Sequence, residues 1–419
     1  MSLGFHGWNC MIAGMHSAPC GTSSRLLAGG KAVSALAFGI LVLALVTLRI
    51  GLWRYFHNSD LLTSYIPWQI YLIQHGRWHA LQHPLGIYFP AYFDLAILTT
   101  YLNGHFNVIT QIKLVSFCFD LLAAFVAYCM VGRILRETAP GRTIAPMIAS
   151  LCILAGPTVL LNGSVWGQSD IVYTTFLLLS VYAVIAGSGA AAALFFGFAL
   201  AFKLQAIFLI PFLGAMLLAR RIRWIHLLLV PVGWLVSLVP ALLNGGRIAE
   251  FLRLLFSQGG TFPVLAINIG NPWTVLMLLH FNEHIGTLLG IAITIAATIA
   301  ISFWGSRPAF QSSANTLMLA SFCLLVMPYI MPRMHERYFF CAEVFLCLLS
   351  CVDLAFCLPA ALVLSASLIE YSNYFLYHVR YLVIGPALLA NTMALWLAYR
   401  LLRLRAAPDP QVASAESRS

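Results

Sequence analysis

Apolar residues fall along this chain in long unbroken runs rather than at the alternating or helical spacing of a soluble fold. The runs lie near 32–53, 113–131, 144–161, 170–187, 190–218, 225–243, 285–304, 314–331, 339–357, 358–376 and 381–399. A helix of about 20 apolar residues crosses a bilayer, so the pattern predicts an all-α polytopic membrane protein. Short basic segments separate the runs: Arg133, Arg136 and Arg142; Arg220, Arg221 and Arg223; Arg307; and Arg400, Arg403 and Arg405. Arginine excess in short loops marks the cytoplasmic side. Three runs separate Arg142 from Arg220 if 190–218 is one helix, which would put the second basic loop outside. Parity is restored if that run folds as two short helices meeting near "FKLQA", residues 202–206, with Lys203 and Gln205 at the outer side. The expected architecture is about 12 spans with both termini cytoplasmic: one transmembrane domain over 30–400, a disordered tail over 1–29, and a basic then disordered tail over 401–419.

Composition sharpens this picture. Of 419 residues, 61% are hydrophobic and 9% charged, far outside the range of a soluble globular chain. The net charge of +10 would suggest nucleic acid in a soluble protein, but most cations here sit in loops that set orientation, so no nucleic-acid partner is expected. The ten cysteines lack metal-type spacing and read as small membrane side chains, and no metal is predicted.

With this orientation four segments share the outer face: Arg54 to Gln111, "LNGSVWGQSD" at 161–170, Asn244 to Glu283, and 332–338. Asp60 follows the first span and begins a helix with Tyr65 and Trp68 on it, expected to lie in the membrane interface. Asp60, with Ser59 and Asn58, suits capping of that helix and suits catalysis equally, and the two roles are compatible. Asp94 reads as a surface carboxylate. Asp120 lies two turns inside a span and demands a partner, with Lys113 or Lys203 as the available counter-charges. Ser169-Asp170 before an apolar run reads first as a helix cap. Trp166 suits either the aromatic belt or a sugar-stacking platform. In "MPRMHERYFF", residues 331–340, Arg333, His335, Glu336 and Arg337 fall between two apolar runs. A charge in hydrocarbon costs about 2.5 to 3.5 kcal/mol on insertion scales, so the cluster requires a wet cavity or a partner.

In this order, "SDLLTSYIPW", "IKLVSFCFD", "LNGSVWGQSDIVYTTFLLL", "LAFKLQAIFLIPF" and "MPRMHERYFF" resemble the bacterial integral-membrane glycosyltransferases of the GT-C class. The nearest likeness is to those related to the second mannosyltransferase of GPI-anchor synthesis, and it covers roughly residues 50 to 345. The resemblance implies an inverting enzyme of the bacterial plasma membrane with its site facing the periplasm or exterior. It implies a polyprenyl-phosphate sugar donor, a lipid-linked or glycan acceptor, contact with membrane lipid, and no cofactor. Asp60 matches the catalytic Asp of related glucosyltransferases, and His335-Glu336-Arg337 is similar to their His-Glu-Lys motif. An inverting transfer needs a base for the acceptor hydroxyl and donors for the departing phosphate. Asp60 can supply the first, and Arg333, His335, Arg337 and Lys203 the second. Tyr65, Trp68, Asp120, Trp166, Gln168, Asp170, Gln205 and Glu336 are assigned to substrate binding or to the scaffold. The alternatives are a multispanning transporter or flippase, disfavoured by unequal outer loops and no clear internal repeat, and an O-antigen polymerase or ligase.

Overall fold

Unbroken apolar runs leave backbone groups without water, so helices satisfy them internally. The computed structural model, which describes residues 20–53, 58–257, 264–377 and 384–406, is accordingly almost wholly helical. In order the helices are α1 (Cys20–Leu52), α2 (Ile66–Gln74), α3 (Pro90–Thr100), α4 (Val108–Thr138), α5 (Ala145–Ala155), α6 (Pro157–Val159), α7 (Asp170–Ile185), α8 (Gly189–Phe202), α9 (Ile210–Leu218) and α10 (Leu229–Val236). There follow α11 (Val239–Leu243), α12 (Ile248–Ser257), α13 (Pro272–Leu278), α14 (Glu283–Gly305), α15 (Ser313–Ile330), α16 (Phe340–Val352), α17 (Cys357–Tyr377) and α18 (Gly385–Arg405). Two residue pairs, Ala266–Ile267 (β1) and Met334–His335 (β2), form a small parallel ladder.

The chain forms two compact units, Met1–Ala44 and Leu45–Ser419. The described side chains of the first belong to α1 and are largely exposed and apolar, Leu36, Ile40 and Leu41 among them. The second unit carries every candidate site residue. Helix α1 starts at Cys20, inside the stretch expected to be disordered, and α18 continues to Arg405, so the basic segment after 400 extends the last helix. Residues 1–19 and 407–419 of the expected tails lie outside the described residues. Among the described residues five helices are long and apolar enough to cross a membrane alone, or six counting one bent pair, and five further apolar helices are shorter.

The break expected at "FKLQA" is present. Helix α8 ends at Phe202, Lys203 is extended (φ −151°, ψ 137°), and a 3-10 turn over Leu204–Leu209 leads into α9. The chain doubles back there. A Cβ on Gly189, at the start of α8, would lie 2.6 Å from the carbonyl of Arg221, just past the end of α9. The basic segments therefore meet at one end of the helical unit. Arg221 donates to the Val184 carbonyl at 2.7 Å and the Gln311 carbonyl at 3.1 Å, Arg142 to the Val352 carbonyl at 2.9 Å, and Arg405 pairs with Asp353 at 2.8 Å. Asp60, Trp166, Lys203 and Arg337 gather at the opposite end.

At that end the residues after α1 form a helical cap. Leu61, Tyr65, Gln69 and Leu72 recur every three or four positions and are buried, whereas Leu62, Ile70 and Tyr71 on the other face are exposed. This buried stripe packs with Tyr92, Phe93 and Ile97 of α3 and with Leu238, Ala241 and Phe251. Asp94 departs from its expected surface position: it is half-buried, and burial pushes its carboxyl up to about 7.

One buried ion pair ties α1 to α4 and α5. Arg49 bonds Asp120 at 2.5 Å and also donates to the carbonyls of Leu154 (2.8 Å) and Ile153 (3.3 Å). Those carbonyls belong to the end of α5, where Gly156 and Pro157 bend the chain by 40° and leave helix acceptors without N–H partners. Asp120 is thus paired with neither lysine considered for it. Lys113 instead donates to the Trp53 carbonyl at 3.3 Å, and Lys203 bonds Asp170. Removing one member of a buried pair strands the other charge, at a cost of about 3 to 5 kcal/mol. Arg49→Leu and Asp120→Leu should each lower the unfolding midpoint in detergent, and the double variant should recover most of the loss. Single variants as stable as the parent would rule this pair out as an anchor.

Candidate active site

Asp60 stands at the start of a π-helical turn over Leu61–Tyr65, yet its side chain makes no capping bond. Asn58 caps instead, accepting the Leu61 N–H at 2.9 Å and donating to the Trp166 carbonyl at 2.8 Å. The Asp60 carboxylate is free to turn toward the helical unit. Its Oδ2 accepts from the Trp166 indole (3.0 Å) and the Gln168 amide (2.9 Å), and its Oδ1 accepts from the Tyr374 hydroxyl at 3.3 Å. Of the two roles open to this residue, capping has passed to a neighbour.

"WGQSD" forms the wall behind it. A second π-helical stretch, Leu160–Trp166, ends at Gly167, whose φ of +81° a side chain would strain. Trp166 is fully buried, stacked on Tyr374 with centroids 4.3 Å apart, and has the Arg337 guanidinium 5.2 Å from its ring. It is therefore neither a membrane-belt residue nor an open platform for a sugar; it orients Asp60. Gln168 donates to Asp60 and accepts from Tyr65 at 2.7 Å, while the Ser116 hydroxyl holds its carbonyl at 2.6 Å.

Asp170 opens α7, but its side chain does not cap that helix. Oδ1 accepts from Lys203 at 2.5 Å, Oδ2 accepts from Asn162 at 2.7 Å, and Arg337 lies 4.0 Å away. Here the break between α8 and α9 has its use. Only an extended residue at the apex lets Lys203 leave the apolar hairpin and reach this carboxylate. Lys203 also lies 5.4 Å from the Tyr88 ring, a contact between cation and π face.

These groups surround a cavity of about 250 Å³ whose walls include Asp60, Tyr65, Trp68, Gln168, Lys203, Gln205, His335 and Arg337. A second cavity, about 360 Å³, shares Leu204, Gln205, His335 and Tyr338 with it and runs between the 204–208 turn and α14. Arg333, grouped by sequence with His335 and Arg337, lines this second cavity and not the first. Its φ of +63° and the ladder to β1 turn the chain away at that point. Trp166, Asp170 and Glu336 stand behind the first cavity, and Asp120 belongs to the Arg49 anchor. Sequence reasoning missed Tyr88 and Tyr374. Tyr374 follows Glu370, Ser372 and Asn373 in an otherwise apolar run, a polar cluster that was the available signal. Among the described residues no group of three or more His, Cys, Asp or Glu is placed to hold a metal ion.

The model of glycosyltransferase family 87 matches residues 95–332, more than half of the chain. The chain belongs to glycosyltransferase family 87. Membership makes it a transferase and sets aside the transporter reading. No curated protein matches the sequence. Among solved structures, ArnT from Cupriavidus metallidurans, bound to undecaprenyl phosphate, is similar in fold, with a TM-score of 0.50 and 14% identity over 87% of this chain and 77% of that one. This family 87 member thus has the fold of a GT-C-type membrane glycosyltransferase, as the motif order implied.

Burial divides the charges of "MHER". Burial first, and then Arg337, push His335 down to about 3, so it is a neutral imidazole at working pH. Burial pushes Glu336 up to about 7, with Arg337 opposing. For Arg337 burial disfavours the cation, but Asp170, Tyr88 and Glu336 outweigh it and hold the guanidinium charged. In this family 87 site, then, Arg337 and Lys203 are the cations facing the cavity, and His335 is a neutral hydrogen-bonding group. Because folding raises the Glu336 pKa, its contribution to stability is full below the ordinary carboxyl range and is lost as pH rises through about 7. Infrared difference spectra of the parent protein minus Glu336→Gln should show a protonated carboxyl that disappears as pH rises through about 7. A carboxylate signal throughout the neutral range would refute this protonation state.

Proposed function

We propose that this family 87 protein moves a sugar, mannose or another hexose or pentose, from a polyprenyl-phosphate donor to a hydroxyl of a lipid-linked or glycan acceptor. Inversion at the sugar is what the GT-C resemblance implies, and Asp60 as a base is compatible with it. The observation that carries the reading is a shared cavity: Asp60 faces the same space as Lys203, His335 and Arg337, and Leu204, Gln205, His335 and Tyr338 line both that space and the groove beside α14. Ile291 and Ile295 line the groove and are 48% and 55% exposed, so it opens at the apolar surface where an isoprenoid chain would enter. A charged head and an apolar tail on one ligand match a polar cavity adjacent to an apolar groove. ArnT, with a similar fold, was solved with such a lipid.

In this mechanism Asp60 accepts the proton of the acceptor hydroxyl while that oxygen bonds the anomeric carbon. The bond from that carbon to the phosphate oxygen breaks on the opposite face. The transition state resembles an oxocarbenium ion, which acidifies the attacking hydroxyl, so a carboxylate suffices as base. The departing monophosphate gains negative charge, which Arg337 and Lys203 offset with His335 as a further donor. Trp166, Gln168 and Tyr374 hold Asp60 in one orientation. Gln205, Tyr65 and Trp68 line the remaining space, where the sugar and acceptor would sit.

Asp60→Asn keeps the shape of the site and removes the proton acceptor. Turnover should fall by about 10² or more while binding of a polyprenyl monophosphate in detergent persists. Arg337→Gln should weaken that binding by about 1.5 to 3 kcal/mol, the value of a charged hydrogen bond, with Arg253→Gln unchanged as control. Parental turnover in a folded Asp60→Asn protein would remove Asp60 as base.

The gathering of Arg142, Arg221 and Arg405 opposite Asp60 supports an outward-facing site in the plasma membrane. In a cysteine-free background an impermeant thiol reagent applied to intact cells should label Leu279→Cys, at the Asp60 end, and spare Gly141→Cys. The reverse pattern would turn the site to the cytoplasm.

A further inference from the structure

Glu370 lies within α17, is fully buried (0% exposed), and takes no part in the cavity. A carboxyl there is costly, so its bonds are informative. Oε1 accepts the backbone N–H of Gly270 at 2.7 Å and the Asn391 amide at 3.4 Å. The Glu370 carbonyl accepts from Asn268 at 2.8 Å, Asn391 donates to the Gly270 carbonyl at 3.0 Å, and Asn373 donates to the Asn268 side chain. Gly270 itself passes so close to α18 that a Cβ would lie 2.6 Å from backbone atoms of Ala387 and Leu388. Two helices thus grip one loop through its main chain.

That loop is joined directly to the "MHER" segment. Ala266 pairs with Met334 and Ile267 with His335, and the Arg333 N–H donates to the Leu265 carbonyl at 2.7 Å. The strained backbone of Arg333 (φ +63°) is therefore held from the side of β1. Downstream, the Trp273 indole donates to the Ile330 carbonyl at 2.7 Å, fixing the other approach to the same turn.

We infer that Glu370 is a positioning residue for phosphate binding: through Gly270 and β1 it sets the backbone that carries His335 and Arg337. This rests on the proposed donor site, since it assigns the clamp to the groups read there as phosphate ligands. Glu370→Gln keeps an oxygen for the Gly270 N–H, whereas Glu370→Leu removes it. Binding of a polyprenyl monophosphate in detergent should weaken about tenfold or more in Glu370→Leu and return to near the parental value in Glu370→Gln. Amide exchange should quicken over 265–271 and 333–335 in Glu370→Leu and stay unchanged over α4 and α5, which a general loss of stability would not produce. Asn268→Ala, which removes the loop's side-chain bonds to the Glu370 carbonyl and Asn373, should show the same pair of effects and serves if Glu370→Leu does not fold.

Faster exchange in the clamp without weaker binding would overturn the positioning role. So would weaker binding in Glu370→Leu that Glu370→Gln does not restore. If Arg337→Gln leaves lipid-phosphate binding intact, the donor-site reading itself fails and takes this inference with it. If Arg337→Gln weakens binding but both clamp variants bind as the parent does, only the inference fails.

Discussion

The Asp170 carboxylate holds the site together, because without it Lys203 and Arg337 would be two like charges in a region with little water. Lys203 is held at 2.5 Å and Arg337 approaches to 4.0 Å. An unpaired buried cation would cost several kcal/mol, which the pairing with Asp170 offsets. It also fixes geometry. The α8–α9 hairpin is pinned by its apex to the first residue of α7, and the segment after α15 is drawn to the same point through Arg337. Three parts of the chain far apart in sequence converge on one carboxylate.

A carboxylate so engaged is a poor base, and a carboxylate that is not so engaged is a poor counterion. Asp170 and Asp60 divide along that line. Among the described residues no ion pair joins Asp60 to a cation; its partners are an indole, an amide and a hydroxyl, all neutral. It remains half-buried at the cavity wall, while Asp170 is almost fully buried behind it. Two acids with different surroundings are thereby suited to different roles in one site.

Much of this frame was legible in the sequence because it rests on one-dimensional constraints. Arginine placement together with the need for parity located the reversal at Lys203 without any knowledge of contacts, and the charged residues at 333–337 stood out against apolar flanks. What stayed hidden depends on which helix faces meet. Arg49 pairs with Asp120 across 71 positions, and nothing local to Asp120 favours it over Lys113 or Lys203. Ser169-Asp170 has the spelling of a cap and the contacts of an ion pair, because tertiary partners outcompete the local N–H groups. Trp166 looked available as a platform since burial of a ring at a loop end depends on α17, which lies outside the motifs. Arg333 looked equivalent to Arg337 in one dimension, but a left-handed residue and a two-residue ladder send its side chain into the neighbouring groove.

The electrostatic state of the site follows from the same geometry. His335 is kept neutral and Glu336 is held near its titration point at working pH, so the charge facing the cavity rests on Lys203 and Arg337 against Asp60 and the Asp170 behind them. That balance is close to neutral before a ligand enters. In the proposed reaction the donor phosphodiester would bring one negative charge and would share the cations with Asp170 without stripping them of it. On that proposal the phosphate gains a second charge as the sugar leaves, and the same cations, oriented by Asp170, would interact more strongly with the product side than with the donor. Groups fixed beforehand stabilise developing charge with little reorganisation. The pairing that makes Lys203 and Arg337 tolerable side by side is thus also, on the proposed mechanism, what would prepare them for the transition state.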